Sequence, residues 1–283
     1  MTAAKAKKYD KLLFGTAGVP ISSKKTDTIS GIKQVRALGL DCMELEFVHG
    51  VRMSDKTAAD VSATAQENSV ALSVHGPYYI NLNAVEADKL TASVERIYES
   101  ARVGNLCSAQ NIVFHPAFYL KDDKKIVYDR VFNLLKELRA RLDDEGIPAV
   151  LRPETTGKAT QFGDYDELIS MSAGLDGVLP CFDFSHIHAR DGKHNTYEEF
   201  TAVFEKIENE LGKDGLLTMH CHISGIEYTA KGERNHLFLD ESDMNYRDLM
   251  KVFKEFGAAG TIICESPNIE ADALLLKKTY EEM

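Results

Sequence analysis

The chain has 283 residues, of which 44% are hydrophobic and 27% charged, and its formal net charge is −11. A length near the ~250 residues of an α/β barrel, with an ordinary composition, predicts one globular domain over residues 1–283. The acidic balance argues against broad electrostatic binding of nucleic acid, although bound divalent cations can reverse the local charge at a site.

The sequence also bears on location and cross-links. The N-terminal segment lacks an apolar stretch long enough for a signal peptide, and no run of ~18 apolar residues predicts a membrane span. Because no CxxC pair occurs, we expect reduced thiols rather than disulfides or a zinc knuckle. The five cysteines are Cys42, Cys107, Cys181, Cys221 and Cys264. A cytoplasmic protein without membrane contacts is expected.

Short apolar runs alternate with longer amphipathic segments along the chain. The predicted strands lie at residues 12–15, 42–47, 71–75, 111–115, 149–154, 178–183, 217–223 and 261–265. Helical patterns follow, for example at 85–103, 127–144, 197–211 and 246–256. Asn195, with Glu198 three residues later, predicts a capping box for one helix. Eight strand–helix units without a Gly-rich phosphate loop predict an α/β fold that closes as a single (β/α)8 TIM barrel.

Histidine and carboxylate side chains stand at the carboxyl ends of six consecutive predicted strands, where the loops of a barrel converge. These residues are His75, His115, Glu154, Asp183, His186, His220 and Glu265. Carboxylates gathered without cations would repel one another, so the pattern predicts a metal site. The histidines favour zinc, with manganese as an alternative, and seven ligands suffice for two or three ions. Such clusters serve displacement at phosphorus.

Six segments together resemble endonuclease IV, a family of zinc-dependent nucleases that act at apurinic/apyrimidinic sites. They are VHGPYYINL (74–82), VFHPA (113–117), RPETTG (152–157), CFDFSHIHA (181–189), MHCHISG (219–225) and CESPN (264–268). The CESPN strand and the GERNH loop (232–236) look most like archaeal members. The resemblance implies a TIM-barrel hydrolase of base excision repair that acts as a monomer on double-stranded DNA. It would cut 5′ to an abasic site and leave a 3′-hydroxyl and a 5′-deoxyribose phosphate.

The resemblance also implies a site with three ions. His75 and His115 would hold the first ion, and Glu154, the expected catalytic residue, would bridge it to the second. The second ion's ligands would be completed by Asp183, His220 and Glu265.

The third ion would be held by His186 with Glu233 and His236. Here the sequence departs from the bacterial Asp-x-His pattern, because Glu233 replaces the aspartate and Asn235 occupies the place of the histidine. We assign the role to His236, one residue later.

Substrate contacts are expected from four further residues. The family's loop that wedges into DNA matches Tyr78 and Tyr79, and Arg52 after the second strand is a candidate DNA probe. His222 is assigned a substrate-contacting or supporting role. Phosphates could also meet the loop cations Lys121, Lys158, Arg190, Lys193, Lys231 and Arg234. His188 and His194 are interpreted as solvated residues of the loop after the sixth strand, and His49 has no assigned partner.

Two other functions stay open. Glu154, Asp183, His220 and Glu265 alone would form the single-ion site of a sugar isomerase or epimerase of the xylose-isomerase-like barrels, and the acidic charge suits a sugar enzyme. A barrel that binds DNA or metal without catalysis is the other alternative. Counting the ions per chain would separate sugar chemistry from phosphoryl chemistry.

Overall fold

The computed structural model describes residues 5–283, and within them eight parallel strands form one sheet. These strands are β1 (Leu12–Ala17), β2 (Cys42–Glu46), β3 (Ala71–His75), β4 (Asn111–Phe114), β6 (Val150–Pro153), β8 (Phe182–Asp183), β9 (Met219–Ile223) and β12 (Gly260–Cys264). Two small antiparallel pairs lie outside the sheet: β5 (Ala117–Phe118) with β7 (Gln161–Phe162), and β10 (Gly225–Thr229) with β11 (Gly232–Leu237).

Helices connect the strands. They are α1 (Thr28–Ala37), α2 (Asp55–Asn68), α3 (Ala87–Leu106), α4 (Lys124–Asp144), α5 (Tyr165–Gly174), α6 (Phe184–Asp191), α7 (Tyr197–Leu216), α8 (Tyr246–Glu255) and α9 (Glu270–Glu281), with a 3-10 turn at Leu239–Glu241. No helix within residues 5–283 combines the length and the apolar character needed to cross a bilayer.

The sheet closes on itself. β1 pairs with β12 on one side and with β2 on the other, and single bridges join Leu151 to Val178 and Glu154 to Cys181 across the last gap. The predicted TIM barrel is therefore confirmed. Because all eight strands run in parallel, their carboxyl ends open onto one face of the molecule.

The sixth barrel strand is shorter than predicted. The sequence suggested a strand over 178–183, but regular pairing is confined to Phe182–Asp183. Pro180 lies between the two bridged residues and has no N–H to donate to a neighbouring strand, so the ladder is interrupted there.

One predicted helix cap is displaced by a single residue. Thr196, not Asn195, caps α7, and Glu199, not Glu198, completes the capping box. Asn195 is used elsewhere, because its side-chain amide donates to the carbonyl of Asp243 at 2.8 Å.

An aromatic cluster anchors the helix that follows β8. The ring of Phe184 lies 5.8 Å from that of Phe204 on α7 and 5.7 Å from that of Phe253 on α8, and all three are fully buried. Burial of each ring stabilises the fold by about 2 kcal/mol. The cluster holds the start of α6 against the barrel, at the end where the site lies.

Candidate metal centre

The site is built on the carboxyl ends of the strands. His75 and Asp183 are the last residues of β3 and β8, and His222 lies near the end of β9. Glu154 directly follows β6, and Glu265 directly follows β12. The predicted convergence at one end of the barrel is what the fold produces.

Glu154 lies at the middle of the site, and its side chain is fully buried. Its Oε2 atom is 3.2 Å from Nε2 of His75 and 3.1 Å from Nε2 of His115. Its Oε1 atom is 3.3 Å from Nδ1 of both His186 and His222. His75, His115 and Glu154 thus offer three ligand atoms within 4.8 Å of one another. We call them the first group.

The second group consists of Glu154, Asp183, His222 and Glu265, whose ligand atoms also lie within 4.8 Å of one another. Nδ1 of His222 is 3.1 Å from Oε1 of Glu265. Asp183 caps α6 by accepting from the backbone N–H of His186 through Oδ1, at 2.7 Å. Its other oxygen, Oδ2, is buried, lies 3.2 Å from Nδ1 of His186 and has no hydrogen-bond partner among the described residues. The cap fixes the carboxylate while leaving one oxygen free for a cation.

The third group consists of Asp183, His186 and His236. The Nε2 atoms of His186 and His236 face each other at 3.4 Å, and Oε2 of Glu233 lies 3.5 Å from the same atom of His186. Asn235 is exposed and donates to Glu227 instead, at 2.7 Å. The structure therefore places His236, and not Asn235, beside His186.

A β-bulge explains how Glu233 and His236 come to the same side. Three residues apart on a regular strand, they would point to opposite faces. In the β10–β11 hairpin the pairing shifts between Glu227 and Tyr228, so that Arg234 is an extra residue in β11. The extra residue shifts the alternation of side chains by one position, so that Glu233 and His236 point to the same face.

The position predicted for His220 is taken by His222. His220 lies deeper in the barrel, where Nε2 is 3.0 Å from Oε2 of Glu44 and Nδ1 is hydrogen-bonded to Thr261. Both histidines point inward from β9, but two residues along a strand differ in depth by about 7 Å. His220 does fall within 4.8 Å of ligand atoms of Cys181 and His222, in a lower group. The imidazole of the second group is therefore that of His222.

The charges of the site fit divalent cations. Burial raises the pKa of Glu154, but the adjacent imidazoles of His115 and His222 outweigh burial and hold that pKa well below its usual range. Burial raises the pKa of Asp183 to about 6. The carboxylates of Glu154 and Glu265 face imidazole nitrogens at 3.1–3.3 Å, and Asp183 has a buried oxygen without a hydrogen-bond partner among the described residues. Together they form a donor set that suits metal ions.

The chain matches the xylose isomerase-like TIM barrel family over residues 32–281. It belongs to that family. Among its relatives, the uncharacterized protein MJ0133 of Methanocaldococcus jannaschii is 48% identical over 96% of this chain and 98% of its own length. A Staphylococcus saprophyticus protein named "Probable endonuclease 4" is 24% identical over 74% of this chain and 70% of its own length.

Two solved structures share the fold of this xylose isomerase-like barrel. Endonuclease IV from Thermus thermophilus superposes with a TM-score of 0.73 at 18% identity, covering 95% of this chain and 100% of that one. A D-tagatose 3-epimerase-like protein superposes with a TM-score of 0.71 at 20% identity, covering 94% and 96%. At these identities the two structures establish the architecture only. Family and donor set together support a metal-binding enzyme of the xylose isomerase-like barrels.

The rim of this xylose isomerase-like barrel carries the residues predicted to contact substrate. Tyr78 and Tyr79 are 59% and 65% exposed, and the Tyr78 ring lies 5.8 Å from the ring of His75. Arg52 is exposed on the segment between β2 and α2. His222 lies away from the rim, because its ring is fully buried among the acids of the second group, and this position fits the supporting role better than substrate contact.

One loop cation predicted to meet phosphate has another use. The guanidinium of Arg190 donates to the carbonyls of Thr156, Lys158 and Gln161 at 2.7–3.0 Å. Arg190 therefore ties the segment after β6 to α6. Arg234 is exposed but pairs with Glu227 at 3.0 Å.

Two buried polar residues were not anticipated. Glu44 in β2 is fully buried, and the signal was a carboxylate inside the otherwise apolar stretch CMEL. His188 was interpreted as a solvated loop residue, but α6 continues through Asp191 and buries it. Its Nε2 lies 3.2 Å from Oδ1 of Asp243.

Proposed function

We propose that this protein is a metal-dependent DNA repair endonuclease that cuts the phosphodiester 5′ to abasic sites. The products would be a 3′-hydroxyl and a 5′-deoxyribose phosphate, as in endonucleases of the endonuclease IV type. The supporting observation is the number of linked ligand groups: the first and second groups share Glu154, and the second and third share Asp183. One catalytic ion needs about three protein ligands, so the surplus fits two or three ions.

Zinc is the proposed metal, with manganese as an alternative, because imidazole nitrogens and carboxylate oxygens are both present. The first group would hold one ion, the second group a second, and His186 with His236 and Glu233 a third. When bound, such ions stabilise charge on phosphoryl oxygens and lower the pKa of water toward ~7.

Glu154 would serve as the catalytic carboxylate. Each of its two oxygens already faces two imidazoles, so the side chain cannot turn without losing contacts on both sides. Its fixed orientation would keep the first and second groups in a constant relation. A pre-organised site of this kind costs no rearrangement when charge develops during the reaction.

Substrate selection would depend on shape at the rim. An abasic nucleotide has no base to read, and it leaves the duplex more readily than a paired nucleotide does. The exposed Tyr78 ring stands beside His75 of the first group, and with the neighbouring exposed Tyr79 it would fill the gap in the duplex. Arg52 would contact the backbone nearby.

The test is cleavage of a duplex oligonucleotide with one abasic site, with zinc and with EDTA. We expect cleavage 5′ to the lesion that EDTA abolishes. Glu154→Gln should lower the rate at least about 100-fold, since ion-mediated stabilisation amounts to several kcal/mol. Glu208→Gln, the same change at an exposed position of α7, should leave the rate unchanged. Normal cleavage by Glu154→Gln with its metals in place would refute the role of Glu154.

One observation favours a second candidate. The second group by itself provides four ligands and would be complete for a single ion, which suits a sugar isomerase or epimerase. Such an enzyme would exchange the proton next to the carbonyl of a ketose, which can be followed by NMR in D2O. One ion per chain, exchange into ketoses and no cleavage of abasic DNA would replace the nuclease proposal with this one.

A further inference from the structure

A layer of polar side chains lies directly beneath the second group. It comprises Glu44 from β2, Ser73 from β3, His220 from β9 and Thr261 from β12, and each is at most 3% exposed. Polar groups at this depth destabilise a fold unless their hydrogen bonds are made.

One oxygen of Glu44 is saturated. Oε2 accepts from Oγ of Ser73 at 2.6 Å and lies 3.0 Å from Nε2 of His220. Because a carboxylate oxygen only accepts, the proton of this second bond belongs to His220 Nε2. Nδ1 of His220 then accepts from the hydroxyl of Thr261.

The other oxygen of Glu44 is not used in this way. Oε1 lies 2.9 Å from Nε2 of His222, at ion-pair distance but without the geometry of a hydrogen bond. Neither atom has a hydrogen-bond partner among the described residues. The same imidazole presents Nδ1 to the second group, 3.3 Å from Glu154 Oε1 and 3.1 Å from Glu265 Oε1. The ring of His222 thus spans the two layers.

We infer that Glu44 is a positioning residue, which holds His222 with its proton on Nε2 and leaves Nδ1 as the ligand atom. A carboxylate behind a ligating imidazole fixes the tautomer and the ring orientation and makes the ligand more basic. The role of Ser73 and His220 is to hold the carboxylate itself. The inference rests on ion binding by the second group and is independent of whether the substrate is DNA or a sugar.

A metal ion bound within this layer is the alternative to the positioning role. Cys181, His220 and His222 are close enough to hold an ion of their own. Both nitrogens of His220 are already hydrogen-bonded, however, so it has no lone pair free for an ion. Loading the protein with Co²⁺ distinguishes the two, because a thiolate ligand adds strong charge-transfer absorption near the ultraviolet. Such a band would overturn the positioning role.

The first measurement uses the wild-type protein loaded with Zn²⁺. Long-range ¹H–¹⁵N NMR reports which ring nitrogen of His222 carries the proton, and its signals are assigned by their loss in His222→Gln. We expect a protonated Nε2. A protonated Nδ1 overturns the inference without any variant of Glu44 being needed.

The second measurement is Zn²⁺ affinity by competition with a chromophoric chelator. Glu44→Gln should weaken binding of one ion by 10- to 100-fold, the usual effect of removing a carboxylate behind a ligating histidine. Glu208→Gln, the same change at an exposed position of α7, should leave the affinity unchanged. If Glu44→Gln does not fold, Glu44→Asp replaces it, because the shorter carboxylate should also lose reach to His222.

The outcomes separate the two proposals. A wild-type protein that binds no more than one ion would count against the proposed nuclease. If the wild-type protein binds two or three ions and Glu44→Gln binds them with the same affinity, the role of Glu44 is overturned. The nuclease proposal then still stands.

Discussion

At the scale of single residues, the third group bears on whether the proposed centre holds two ions or three. His236 faces His186 across 3.4 Å, whereas its neighbour Asn235 points outward to Glu227. Adjacent residues with opposite surroundings provide a matched pair for experiment. The pair also tests the departure of this loop from the Asp-x-His pattern of bacterial relatives.

We predict that His236→Ala lowers the zinc content by one ion per chain, while Asn235→Ala leaves it unchanged. The reason is that removing His236 takes one imidazole from the third group and leaves His186 and Asp183 short of the ligands a zinc site needs. Elemental analysis of both purified variants after dialysis measures the ratio. A loss of metal in Asn235→Ala equal to that in His236→Ala would move the assignment back to Asn235.

Residue identity in the sequence was informative wherever a strand ends. His75, Asp183 and Glu265 stand where the hydrophobic run stops, so their placement at the mouth of a barrel followed from the fold. The choice between His220 and His222 could not be made in that way. Both face the barrel interior, and only the depth at which β9 sits against β12 tells which of them reaches the acids.

At the scale of elements, the β10–β11 hairpin contributes His236 to the candidate metal centre and is attached to α6. The hydroxyl of Tyr228 donates to Oδ2 of Asp243 at 2.8 Å, and His188 of α6 contacts Oδ1 of the same carboxylate. This linkage holds Glu233 and His236 near His186. The sequence showed that His236 stands one residue beyond the expected histidine position. It could not show the bulge that brings His236 to the site, because a bulge depends on how two strands pair.

The start of α7, which supplies no ligand atom to the three groups, gives an independent test of the local structure. Thr196 accepts from the N–H of Glu199, and the carboxylate of Glu199 accepts from the N–H of Thr196. Thr196→Ala should therefore lower the free energy of unfolding by about 1 kcal/mol, as the loss of a capping hydroxyl usually does.

Urea unfolding followed by circular dichroism measures this change, with Glu208→Ala on the exposed face of α7 as the control. The control should differ from wild type by less than about 0.5 kcal/mol. Abasic-site cleavage should be unaffected in both variants. Equal stability of Thr196→Ala and wild type would mean that the helix begins elsewhere, for example at the Asn195 predicted from the sequence.

At the scale of the whole molecule, the fold was the most predictable property. Eight apolar runs with amphipathic segments between them specify a closed parallel sheet, because each run needs both faces covered. The charge distribution is less simply related to function. The chain carries −11 overall, and rim cations such as Arg190 and Arg234 are committed to internal partners.

Binding to undamaged duplex DNA should therefore be weak and strongly dependent on salt. With about four phosphate contacts, the affinity should fall about 100-fold between 50 and 200 mM salt. Fluorescence anisotropy with a labelled duplex, on the metal-loaded protein, measures it. Tight binding that is insensitive to salt would argue against contacts made mainly by the exposed rim lysines.

The two oxygens of Glu154 face different ligand groups, so an ion bound by one group should affect the binding of an ion by the other. A carboxylate shared in this way links the occupancies thermodynamically, so that filling one group changes the affinity of its neighbour, and the reverse change must be equal. Ion uptake should therefore depart from independent, identical steps. With positive coupling, chains in a metal-poor cell would be mostly either empty or fully loaded. With negative coupling, most chains that hold metal would be only partly loaded.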